Sequence, residues 1–172
     1  ENKYSDAESV FKKALNVSRS NPKVYAGLGD TYLSSNRYNE ALIQFERAIE
    51  LSQSESEYHI KKAKIYYAMG QLNLAVNSYQ QAIEVDPKNG AIFYELGMLY
   101  KEQGEIDKFL ESIELSAKLD FKSFKLHETL GLFYAKEKKY EQAVVEIRKA
   151  IELKKDEPIL RLTLGKLLLE SN

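Results

Sequence analysis

Apolar residues recur along this chain at helical intervals, in short bursts separated by polar turns. Between residues 90 and 103, Phe93, Leu96, Gly97 and Tyr100 fall at i, i+3, i+4 and i+7, the spacing of one helical face. Between 73 and 85, Ala75, Tyr79, Ala82 and Ile83 set small residues beside one large ring, which lets antiparallel helices approach closely. Read in this way, the sequence predicts helices over 5–18, 22–35, 39–52, 56–69, 73–85, 90–103, 107–119, 124–137, 141–154 and 158–170.

The pattern repeats. A shift of 34 residues aligns Gly29, Ala63, Gly97, Gly131 and Gly165 in one column of very small side chains. The same register aligns Ala7, Ala41, Ala75 and Ala143, then Ala14, Ala48, Ala82 and Ala150, and a tyrosine column of Tyr32, Tyr66, Tyr100 and Tyr134. Asn36, Gly70 and Gly104 sit where a left-handed residue would end the first helix of each pair, with Lys138 in the same column. Ser5, Asn39, Asn73 and Asp107 are expected to cap the second helices, and Ser5 with Glu8 reads as a capping box. Pro22 and Pro158 mark helix entries, and Pro87 stands in the turn before another.

These columns resemble the tetratricopeptide repeat family, whose pattern runs aromatic, Leu-Gly, Tyr, Ala, Phe, Ala, Pro. Residues 22–55 carry Tyr25, Leu28, Gly29, Tyr32, Ala41, Phe45 and Ala48; residues 56–89 carry Ala63, Tyr66, Ala75, Tyr79, Ala82 and Pro87. Residues 90–123 continue with Leu96, Gly97 and Tyr100, and residues 124–157 with Leu130, Gly131, Tyr134, Ala143 and Ala150. Residues 1–21 supply only a second helix and 158–172 only a first, so the chain, which lacks an initiator Met, reads as a window on a longer array. The resemblance implies an all-α fold, a right-handed superhelical solenoid of antiparallel helix pairs forming one domain over 1–172.

Two departures from the pattern carry expectations of their own. Lys62 stands where Leu28, Leu96 and Leu130 stand in other repeats, so its aliphatic stem is expected to lie along the interface with the ammonium in water. Phe109 and Ser116 replace alanines, and such overpacking typically costs about 1–3 kcal/mol unless the backbone moves. A local change of curvature is therefore expected between 100 and 125.

Composition removes several functions. The 25 basic and 26 acidic side chains nearly cancel, so no global field draws in nucleic acid. Cysteine is absent, which removes disulfides, thiolate nucleophiles and Cys-ligated zinc and leaves the compartment open, with the cytoplasm slightly favoured. No apolar run approaches the roughly 18 residues that span a bilayer. His59 and His127 share one column two repeats apart, where packing explains them better than metal binding or acid–base work. With no phosphate loop, nucleophile elbow or HExxH motif, no catalysis, metal or cofactor is expected.

What remains is a surface for another protein. The resemblance implies that first helices line a concave groove, whose free stripe reads Lys23, Ala26, Asp30, Leu33; Glu57, Ile60, Lys64, Tyr67; Ala91, Tyr94, Met98, Lys101; Lys125, Glu128, Leu132, Ala135. Asp30, Leu33, Ile60, Lys64, Tyr67, Tyr94, Met98, Lys101, Glu128 and Leu132 are the candidate groove residues, with Tyr67, Tyr94 and Met98 as anchors for a peptide or helix of a partner. The carboxylate clamp of co-chaperones is similar in position but not in residue type, since Ala26, Asp30, Lys61, Ala91 and Glu95 occupy it. An asparagine ladder of the glycosyltransferase kind is absent too, because Gly27, Lys61, Glu95, Thr129 and Thr163 fill that column. The last helix is apolar nearly all round, which makes Leu160, Leu164, Leu167 and Leu168 candidates for self-association into a homo-oligomer. A third alternative makes the chain the regulatory or substrate-selecting arm of an enzyme whose catalytic domain lies elsewhere.

Overall fold

The computed structural model describes residues 2–171, which form ten α-helices and no strand. Two compact units divide the chain, Glu1–Pro87 and Lys88–Asn172. The first holds α1 (Asn2–Val17), α2 (Pro22–Ser34), α3 (Tyr38–Leu51), α4 (Ser56–Ala68) and α5 (Leu72–Val85); the second holds α6 (Gly90–Glu102), α7 (Ile106–Lys118), α8 (Phe124–Lys136), α9 (Tyr140–Leu153) and α10 (Pro158–Glu170).

Close approach between paired helices is what the small-residue column makes possible. A methyl group built on Gly29 would lie 2.9 Å from the Phe45 ring; on Gly97, 2.9 Å from Ile113; on Gly131, 2.7 Å from Ile147. Ala63 and Ala75 are fully buried in the same kind of seam. In the first unit the core gathers Leu28, Tyr32, Phe45, Tyr58 and Ile65 around these contacts. In the second, Ala143, Ile147 and Leu167 are buried together, with Tyr134 and Leu164 packed against them.

Each hairpin closes in the same way. Asn36, Gly70, Gly104 and Lys138 all adopt left-handed backbone, with φ of 59°, 73°, 79° and 59°. The amide that follows each donates to the tyrosine carbonyl five residues back: Arg37 to Tyr32, Gln71 to Tyr66, Glu105 to Tyr100 and Lys139 to Tyr134. This is a Schellman closure, and it corrects the expected caps. The next helix opens from that same residue, because the Arg37, Gln71, Glu105 and Lys139 carbonyls accept from Ala41, Ala75, Phe109 and Ala143. Asn39, Asn73 and Asp107 consequently lie inside their helices, and no side-chain cap bond forms at Arg37, Gln71 or Glu105. Ser5 likewise sits within α1, and Glu8 turns instead to Lys12, Arg37 and the Tyr32 hydroxyl. Side-chain caps occur at first helices, where Asn21 accepts from the Lys23 amide and Asn89 from that of Ala91.

Lys62 behaves as its aliphatic stem requires: the side chain is only 15% exposed and its ammonium meets Glu46 of α3 at 3.2 Å. Phe109 is accommodated by stacking edge-on against Phe133, with centroids 5.5 Å apart. Ser116 is buried and donates its hydroxyl to the Gly90 carbonyl at 2.7 Å. The turn that follows α7 differs in type from those after the other second helices. Where α3, α5 and α9 end on the extended residues Ser52, Asp86 and Lys154, α7 ends through left-handed Asp120 (φ 56°). That turn swings Phe121 back to within 2.8 Å of where a Gly90 methyl would stand.

Candidate functional site

Packing of second helices against one side of each first helix leaves the opposite face available, and the two units fill it differently. In the first unit α2 and α4 lie side by side, because Lys61 Nζ reaches Asp30 Oδ1 at 2.8 Å and Glu57 at 3.8 Å. Leu33 and Ile60 are half-buried beside this ion pair, while Lys64 and Tyr67 are exposed. Two positions of the clamp column thus neutralise each other, which leaves Lys61 committed within the chain.

In the second unit the expected anchors divide. Tyr94 packs on Phe121 with centroids 5.9 Å apart, and its hydroxyl bonds Thr129 of α8. Burial pushes that hydroxyl's pKa up, so Tyr94 belongs to the wall between α6 and α8 more than to a free surface. Met98 and Glu128 are half-buried, whereas Leu132 stands 51% exposed. Lys101 is exposed, with its ammonium 5.6 Å from the Phe109 ring centre.

For α10 the structure corrects the sequence reading. Leu160 and Leu167 are buried, and Leu164 packs on the Ala143–Ile147 cluster, so these three hold α10 to its neighbours and cannot form an outward contact. Leu168 is partly exposed, and the fully outward apolar residues are Ile159, Leu162 and Leu169. The 34-residue register puts Ile159 in the column of Ala91 and Lys125, Leu162 in that of Tyr94 and Glu128, and Leu169 in that of Lys101 and Ala135. They therefore extend the first-helix face, a signal present in the sequence and obscured there by the apolar circumference of the helix.

The histidines differ in their surroundings. His127 Nδ1 lies 2.7 Å from Glu146 Oε2, and Lys149 meets the other oxygen at 2.8 Å. Burial alone would push Glu146 up; the bonds from His127 and Lys149 outweigh it and hold the carboxyl below its ordinary value. His59 has a buried Nδ1 without a hydrogen-bond partner, and burial depresses its pKa. Among the described residues no cluster of three or more His, Cys, Asp or Glu is placed to hold a metal, and no helix is long and apolar enough to cross a membrane.

Comparison with known proteins agrees with this architecture. Family models described as tetratricopeptide repeat match residues 1–65, 91–123 and 124–157, and one described as TPR repeat matches 63–104. The chain belongs to the tetratricopeptide repeat family. No curated protein matches it. Among solved structures, the C-terminal part of a TPR repeat-containing protein from Cytophaga hutchinsonii superposes with a TM-score of 0.81 at 22% identity, over 99% of this chain and 67% of that one. MamA superposes with a TM-score of 0.75 at 23% identity, over 88% of this chain and 89% of that one. YrrB, described as a TPR protein with an unusual peptide-binding site, gives 0.69 at 24% identity, over 96% of this chain and 84% of that one.

Proposed function

We propose that the chain is a non-catalytic scaffold that holds a peptide or helical segment of another protein on its first-helix faces. The observation that carries this reading is the exposure of large apolar side chains there, Tyr67 at 49% and Leu132 at 51%, on faces that also expose the cations Lys64 and Lys101. Apolar anchors within a charged rim are the usual composition of a protein-binding hot spot. The peptide-binding site named for YrrB supports the assignment by likeness of fold.

Co-purification of partners with the intact chain, followed by titration of the captured segment against Tyr67→Ala and Leu132→Ala, tests it. A loss of affinity in either variant at unchanged melting temperature is expected. Unchanged affinity in both would remove the first-helix faces from the interaction.

A further inference from the structure

The two units offer different charges to a partner. In the first, the central cation Lys61 is taken up by Asp30 and Glu57, leaving Lys23 and Lys64 as the exposed cations of the stripe. In the second, the ion pairs among the described residues involve Lys108, Lys122, His127, Lys149 and Lys154, and none of those pairs includes Lys101, Lys125 or Lys166. Lys101, Lys125 and Lys166 sit in stripe columns of α6, α8 and α10, and all three are exposed. Lys101 and Lys166 lie toward the C-terminal ends of their helices, in the same columns as Leu169 and Leu132 respectively. Glu95 and Glu128 occupy columns a turn or more nearer the N-terminal ends.

Resting on the function proposed above, we infer that the first-helix face of the second unit is the principal docking surface, and that its occupant is an acidic amphipathic helix. Leu132, Leu162 and Leu169, each at least half exposed, are spread over the adjacent first helices α8 and α10 and form a floor for the apolar stripe of such a helix. Carboxylates flanking that stripe meet Lys101 and Lys166, which form no ion pair with another described residue. A basic occupant would bring like charges together at both positions, so the face discriminates by repulsion as well as by attraction.

A fluorescein-labelled amphipathic peptide with leucines at i, i+3, i+4 and i+7 and glutamates on its flanks is the probe, with the same peptide carrying lysines for glutamates as its counterpart. Anisotropy should show the acidic peptide binding, more weakly as salt is raised. Lys101→Glu with Lys166→Glu should weaken it about tenfold, the sum of two exposed pairs, and should let the lysine peptide bind instead. Leu132→Asp, at an exposed position, should abolish binding of the acidic peptide while circular dichroism and melting stay as in the parent chain. Equal binding of both peptides to the parent chain, or no response to the double charge reversal, would overturn the inference. Loss of binding in Tyr67→Ala with none in Leu132→Asp would move the surface to the first unit, leaving the scaffold reading intact. If neither peptide binds, the inference falls, and partner capture by the intact chain decides the scaffold reading separately.

Discussion

His127 of α8 and Glu146 of α9 form the tightest side-chain tie between these two helices, with Nδ1 2.7 Å from Oε2. One repeat pair earlier the register puts His59 in the place of His127 and Ser78 in the place of Glu146, and Ser78 gives its hydroxyl to the Leu74 carbonyl. The same column is thus satisfied in one unit and leaves a buried nitrogen without a partner in the other.

Glu146→Gln is expected to cost about 1–3 kcal/mol at neutral pH, since it weakens the bonds to His127 and Lys149 around a largely buried group. Because the folded carboxyl titrates below its ordinary 4.5, its stabilisation is complete above that value and is lost as pH falls through the lowered folded value. Urea melts of the parent and variant should therefore converge below pH 4.5 and run parallel above it.

Gly131→Ala should destabilise by about 1–3 kcal/mol, because its methyl would sit 2.7 Å from Ile147 and 3.3 Å from the Ala143 carbonyl. Gly165→Ala, in the same column of α10, meets nothing within 4 Å. It should stabilise by up to about 1 kcal/mol through helix propensity alone. Thermal melts of the two variants moving in the same direction would contradict the packing argument.

Lys138 holds a φ of 59° that glycine would hold without strain. Lys138→Gly should raise stability by about 0.5–1 kcal/mol, and Gly70→Ala, whose methyl would touch nothing, should lower it by about 1–2 kcal/mol. Chemical denaturation midpoints of both variants separate this backbone effect from packing.

Leu160→Glu places a carboxylate where the native side chain is fully buried, so loss of folding at every concentration is expected, well beyond 3 kcal/mol on the scale of about 2–5 for truncating a buried leucine. Leu162→Glu and Leu169→Glu, at 60% and 80% exposure, should leave the melting temperature nearly unchanged. Light scattering against concentration on the latter pair reads self-association without confusing it with unfolding.

The architecture was legible in the sequence because a fixed interval between small residues is a direct imprint of helix-to-helix contact, as at Gly29 against Phe45. Helix bounds followed within one residue except at α1, which begins at Asn2, three residues before the expected start. The starts of second helices were placed late because Asn39, Asn73 and Asp107 look like caps, whereas the Schellman closure already decides where the backbone turns helical. Periodicity also labels faces only relative to neighbours. That is why Tyr94, drawn inward by Phe121 and Thr129, and Leu160, drawn inward by α9, were assigned to open surfaces.

In each hairpin one residue ends a helix and begins the next, so Arg37, Gln71, Glu105 and Lys139 act as hinges with no free torsion to spend. The joint is made by main-chain atoms, which leaves residue choice there open: asparagine, glycine and lysine all serve at its left-handed step, so the elbow accepts sequence drift while its backbone path stays the same.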